Sequence, residues 1–331
     1  MEIDKNSPEV SNLIQEVFFP YASSKMDNAR KADLKFSHYT SAENALKIIK
    51  NNEVWLRNSN VMNDFSEIQH GENCIRAAWD DPKIAGRSSE VLDKIQPNLF
   101  DQLKMSFIKN RDSRLLHSYL TSISEHGNKE SREDLYGRLS MWRAYGGSTN
   151  VAFVFKNTPF LLPSDALQAY TSPVLYADEE TFKPKFVEVI DNIDKNIALA
   201  KRAGAEFVLY FLGMALHFAA LSTKHIGFAE EREWRVIYNK YYTLSGKPNG
   251  RVKDSIECVG GVPQRVYKIR LENYPEDGFV GATLPELLEE IIIGPTQYPW
   301  PIFDALVERL KNSGVNDAEK RVKISNIPLR R

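Results

Sequence analysis

Cysteine is nearly absent from this chain. Cys74 and Cys258 are its two cysteines, far apart and outside any Cys-x-x-Cys pattern. That argues against a disulfide scaffold or a zinc knuckle and fits two reduced thiols in a cytoplasmic protein. An excess of one charge is lacking too. Lys and Arg total 43 against 44 Asp and Glu, a formal net charge of -1, so no global field draws the chain to nucleic acid or anionic lipid. Long apolar runs are missing. The longest, 207–221, contains His217; it is short for a membrane span and reads as a buried helix. The opening MEIDKNSPEV lacks the apolar stretch of a signal peptide, so the expected location is cytoplasmic, with no membrane partner. Dinucleotide, P-loop, nucleophile-elbow and kinase signatures do not occur, nor does His-Glu-x-x-His. Classical nucleotide folds and triad hydrolases lose support.

What is present suffices for a core: 42% of residues are hydrophobic, and 26% are charged, which excludes a disordered chain. The segment 34–39 reads as a strand. Thr40 with Glu43 forms a capping box, and Ala42, Ala45, Leu46 and Ile49 recur behind it at helical spacing. A second strand follows at 53–57. Helical pattern fills 88–111, with a break near Pro97. Strands are expected at 115–124, 150–156, 174–178, 231–239, 265–271, 290–294 and 321–326, with helices at 140–147 and 300–312. The stretch 179–226 is mostly helical, broken near Gly204. The reading is an α+β fold with central mixed or antiparallel sheets. Residues 1–33 form a polar, partly helical lead. Residues 34–331 form one domain with a helical insertion at about 179–226.

Four clusters can carry chemistry. His38-Tyr39-Thr40 stands at a strand exit beside a helix N-terminus, which suits an anionic or polar ligand; a lone strand-end histidine more often only caps a carbonyl. Asp64, Glu67 and His70 share a helix face and could form a metal half-site, although acids decorating a helix start is the better reading. Trp142, Arg143 and Tyr145 lie within one helical turn, able to stack on a flat ring and pair with phosphate, or equally to be core anchors beside a solvated charge. Glu231, Glu233 and Arg235 fall on one strand face. Acids there can position a nucleophile or stabilise a cationic transition state; the plainer alternative is an edge strand facing solvent.

Together these segments resemble the bacterial family known as domain of unknown function 2971. The resemblance runs through FSHYTSAENALKIIKNNEVWLRNSNVMNDFSE, LSMWRAYGGSTNVAFVF, FAEEREWRVIY and EIIIGP. One departure is Phe65 directly after Asn63-Asp64, where proline is common. A weaker resemblance, carried by the strand-His-Tyr-Thr-helix-strand opening, is to ADP-ribosyltransferases of the toxin type. It implies NAD as substrate, with no metal. His38 would hold the nicotinamide ribose, with Tyr39 and Thr40 beside it, and Tyr39, Trp142 or Tyr145 would stack on the ring. Glu233 would stabilise the oxocarbenium-like transition state, Glu231 would position the acceptor, and Arg143 and Arg235 would meet pyrophosphate. The reaction would be NAD-dependent transfer to a nucleic acid or protein, as in a stress or phage-defence effector. Two alternatives stay open: a non-catalytic nucleotide- or protein-sensing module, and a metal-dependent nuclease built from His38, Asp64, Glu67 and His70. A cleft joining His38 to Glu231 and Glu233 distinguishes the first reading from the others.

Overall fold

Alternation of small polar with aromatic residues makes Phe36–Ser41 a strand, β1, whose side chains go to opposite faces in turn. In the computed structural model, which describes residues 14–61, 65–145, 147–162, 164–242 and 249–328, β1 lies inside a ten-stranded sheet. The other strands are β2 (Glu53–Asn58), β3 (Ser118–Glu125), β4 (Thr149–Phe155), β5 (Ala169–Pro173), β8 (Glu233–Asn239), β9 (Lys253–Val259), β10 (Val262–Arg270), β11 (Leu288–Thr296) and β12 (Val322–Ile324). The order is β12-β11-β4-β1-β3-β2-β10-β9, with β8 also against β3 and β5 against β8. The pairs β1–β3, β1–β4, β4–β11, β2–β10 and β9–β10 are antiparallel, and β11–β12 is parallel. Sheet and helices together make the α+β fold.

The chain divides into two compact units. One gathers Met1–Asn28, Asn58–Ser118 and Ser172–Ala229; the other gathers Ala29–Arg57, Tyr119–Thr171 and Glu230–Arg331. Among the described residues the first is helical apart from a small pair, β6 (Leu175–Tyr176) with β7 (Thr223–Lys224). Its helices include Phe65–Asp80, Glu179–Lys195 and Ala205–Leu221. The last is apolar nearly all round, and only Glu206 along it is exposed. Gly71 allows close approach of the first and last of these, because a β-carbon there would stand 2.5 Å from the Ala220 carbonyl oxygen. The 179–226 helices therefore pack with 58–118 in a unit of their own. No single helix among the described residues is long and apolar enough to cross a membrane; Ile197–Ala203 and Ala205–Leu221 pass as a pair but bend by 108°, at the expected break, where Gly204 has φ +89°.

The second unit holds the sheet. Val151, Phe153 and Phe155 of β4 pack with Ile291 and Ile293 against the helices Ala42–Asn51 and Pro299–Asn312. Some local expectations shift. Thr40 is not the helix cap: the strand continues through Ser41, whose hydroxyl accepts from Asn44 N–H at 3.3 Å. Ser140 lies inside the helix Leu139–Tyr145 and does not cap it. Residues 111–116 are helical, so β3 begins at Ser118. Strand β9 carries a polar, largely exposed sequence without a hydrophobic signal.

Candidate functional site

The sheet's two faces decide which candidate residues meet. Directly opposed residues of an antiparallel pair share a face, and β1 sets His38 against Phe153 and Tyr39 against Ala152. One face therefore carries Phe36, His38 and Thr40, and the other carries Ser37 and Tyr39. On β3, Ser124 opposes Ser37, so Ser122 and Ser124 belong to the Tyr39 face. The Ser122 hydroxyl donates to Glu233 Oε1 at 2.5 Å, which places Glu233 and Arg235 there too. Trp234 faces the other way, its ring 5.2 Å from that of Phe36. His38 and Glu233 thus lie on opposite faces of the sheet.

On the His38 face is a cavity of about 80 Å³ lined by His38, Thr121, Phe160, Leu167, Thr171 and Val236 among others. Strands β1 and β3 pair only at Phe36↔Glu125 and Ser37↔Ser124; beyond that the His38 ring takes the place of a ladder bond, its Nδ1 lying 2.9 Å from the Ser122 carbonyl oxygen. A carbonyl only accepts, so Nδ1 carries the proton and, in the neutral ring, Nε2 is the acceptor. Burial lowers the His38 pKa against the opposing effect of the Ser122 bond, which favours that neutral form. Thr40, on the same face, is buried.

The opposite face carries a buried ion pair. Arg235 grips Glu233 with Nε–Oε1 2.9 Å and Nη2–Oε2 3.3 Å, and both residues are buried. Glu231 does not continue their row. The strand starts at Glu233, Glu231 ends the 3-10 turn Ile226–Glu231, and Arg232 sits at φ +45°, a left-handed backbone that breaks the alternation. Tyr145, half exposed, donates to Glu231 Oε1 at 3.2 Å. Arg143 is exposed.

Trp142 is a core anchor, 2% exposed, with Nε1 donating to the Tyr136 carbonyl at 2.9 Å. Its ring makes an edge contact with Tyr39 at 4.7 Å. Gly137 and Gly294 make room for it, since a β-carbon on either would come within 2.5 and 2.7 Å of the indole. Tyr39 in turn accepts the Arg138 backbone N–H at 2.8 Å, and burial raises its pKa. Neither ring is free to stack on a ligand in this arrangement.

The residue that organises this end of the sheet escaped the sequence reading. Arg138, 4% exposed, donates to the carbonyls of Glu125 and Glu231 at 2.8 Å each and to Glu133 Oε1 at 3.3 Å. Glu133 also pairs with Arg232. Nearby, His126 was likewise unmarked; its only sequence signal is an acid eight residues on. Its Nδ1 lies 2.7 Å from Ser37 Oγ and its Nε2 lies 3.2 Å from Asp134 Oδ1.

In the helical unit, Asp64 lies outside the described residues. Glu67 is held by the buried Lys224 at 2.9 Å, and His70 Nε2 bonds the Ala177 carbonyl at 2.8 Å. Neither belongs to a group of three ligand atoms close enough to share one ion among the described residues. Cys74, 3.7 Å from His70 Nε2, has its pKa pushed up to about 11, first by burial and then by Glu179 and Asp178, so it is a thiol rather than a nucleophilic thiolate.

No curated protein and no solved structure matches the chain. Residues 141–236, from the Trp142 helix to the middle of β8, match the model of a family described as Protein of unknown function (DUF2971). The motifs at 36–67 and 290–295 that share in the resemblance lie outside the matched segment. The match covers less than a third of the 331-residue chain.

Proposed function

We propose that the sheet unit is a ligand-binding module that receives one end of a small, mainly apolar molecule in the His38 cavity. The observation that carries this is the imidazole at the cavity wall, its Nδ1 committed to the Ser122 carbonyl and its Nε2 left as acceptor for a donor on the ligand. A few precisely oriented polar groups in an apolar pocket are how small-molecule sites obtain specificity. The volume is smaller than the ~150 Å³ that encloses a benzene ring, so only a ligand's tip enters. NAD is a candidate through the carboxamide tip of its nicotinamide. Transfer chemistry has weaker support, because it needs a carboxylate at the scissile bond and Glu233 is across the sheet, paired with Arg235.

Calorimetric titration with NAD, nicotinamide and simple nucleosides tests this, with His38→Leu as the variant that keeps the volume and removes the acceptor. Saturable binding weakened at least tenfold in a folded His38→Leu protein is expected. Equal affinity in both proteins, or no binding of any of these probes, counts against it. Turnover of NAD detected by mass spectrometry, lost in Glu231→Gln or in a folded Glu233→Gln, would restore the transferase reading.

A further inference from the structure

On the sheet face opposite His38, one imidazole and two carboxylates converge. The ligand atoms of His126, Asp134 and Glu290 all lie within 4.8 Å of one another, the single such group among the described residues. Glu290 belongs to the Tyr39 face because it opposes Val154 across β4–β11. It is 9% exposed, and its Oε1 is buried without a hydrogen-bond donor. An ionised carboxylate oxygen in that situation costs more than a neutral group unless a cation or donor meets it. Lys323 pairs with its other oxygen, Oε2, and leaves Oε1 unanswered.

We infer that His126, Asp134 and Glu290 form a binding site for a divalent transition-metal ion of the Zn²⁺ or Mn²⁺ class. One imidazole nitrogen with two carboxylate oxygens suits such ions better than the all-oxygen sets preferred by Ca²⁺ and Mg²⁺. Ligands about 2.0–2.2 Å from an ion stand up to about 4.4 Å apart, so the three groups need to draw in by only a few tenths of an ångström.

The surroundings already orient the ligands. The Glu130 backbone N–H donates to Asp134 Oδ2 at 2.8 Å, which leaves Oδ1 towards His126. Ser37 Oγ holds His126 Nδ1 at 2.7 Å. Without metal, the serine donates to Nδ1 and the Nε2–H donates to Asp134. With metal, the serine accepts from Nδ1–H and Nε2 turns its lone pair to the ion. The change needs a tautomer shift and a hydroxyl rotation, with no movement of the ring; an outer partner of this kind is usual for a ligating histidine.

Chelator-treated full-length protein titrated calorimetrically with Zn²⁺ and Mn²⁺, with Mg²⁺ and Ca²⁺ as comparisons, tests the inference. The expected result is one equivalent of Zn²⁺ or Mn²⁺ per chain and a raised Tm. Glu290→Gln and Asp134→Asn should each weaken binding at least tenfold while remaining folded, since each keeps its shape. Absence of saturable binding of either ion overturns the site, as does unchanged affinity in both variants. Tighter binding of Mg²⁺ or Ca²⁺ than of Zn²⁺ and Mn²⁺ overturns the assignment of metal class.

Discussion

Glu233 shows how one side chain reads differently by pattern and by packing. Its position two residues from Arg235, ahead of an apolar run, is visible in the sequence as an acidic and basic row. The same row can line an active site or form a buried ion pair, and the deciding fact is what covers it. In the fold both residues are buried and bonded to each other. Removing one member of a buried pair leaves the other uncompensated and commonly costs about 3–5 kcal/mol. Glu233→Gln should therefore lower stability by about 3 kcal/mol in denaturant titration, because the buried Arg235 guanidinium loses one charged acceptor. A catalytic Glu233 would give a wild-type melt and lost turnover instead. Glu231, with its carboxylate at the surface beside Tyr145, should cost no more than about 1 kcal/mol as Glu231→Gln. Trp142 was an even choice between ligand platform and anchor, and the two glycines that flank its indole settle it as an anchor; no spacing rule connects Gly137 or Gly294 to Trp142 before the fold is known.

At the scale of elements, periodicity carried most of the secondary structure. Strands β1, β2, β4 and β11 and the helices Ala42–Asn51 and Pro299–Asn312 lie within a few residues of where alternation and helical spacing put them. Failures came where local signals compete. Arg232 adopts a left-handed backbone that no residue type there announces, and β9 is polar enough to pass for a loop. The apolar run 207–221 was legible as a buried helix. His217 is 1% exposed, its Nε2 is 2.9 Å from Ser118 Oγ, and burial, helped by Arg114, lowers its pKa to about 3. The unfolded chain binds a proton on this ring near pH 6.5, and the folded one does so only near pH 3. Between these values the unfolded state holds more protons, so stability falls as pH drops through that window, at up to about 1.4 kcal/mol per unit. Above the window this ring contributes no slope. His38 and His126, also lowered, act with the same sign. Denaturant titrations of wild type and His217→Asn from pH 7 to pH 4 isolate the His217 share: the variant should lose part of the acid slope whatever its stability at pH 7. Identical slopes would mean that this ring accepts its proton without unfolding.

For the whole molecule, the sequence displayed the α+β class but not how the chain is shared between two units. Each unit is assembled from three separated segments, and pairing of distant segments leaves no mark in local composition. The matched segment 141–236 cuts across this arrangement. It contains β4, whose two neighbours β1 and β11 both lie outside it. It contains most of β8, whose partner β3 is outside and whose partner β5 is inside. Its helix Glu179–Lys195 packs against Phe65–Asp80, also outside. An isolated 141–236 fragment would expose both edges of β4 and the apolar faces that Phe153, Phe155 and Ile190 bury in the full chain. Strand edges of that kind pair with other chains, and a sheet reduced to scattered strands lacks the packed face that gives independent stability. The expected outcome is a fragment that shows no cooperative thermal transition by circular dichroism and poor dispersion of its amide resonances. The full chain, by contrast, should melt sharply. A sharp melt with dispersed resonances from 141–236 alone would mean that this segment folds through contacts within itself, and that the long-range pairings with β1, β3 and β11 are additions to a core already formed.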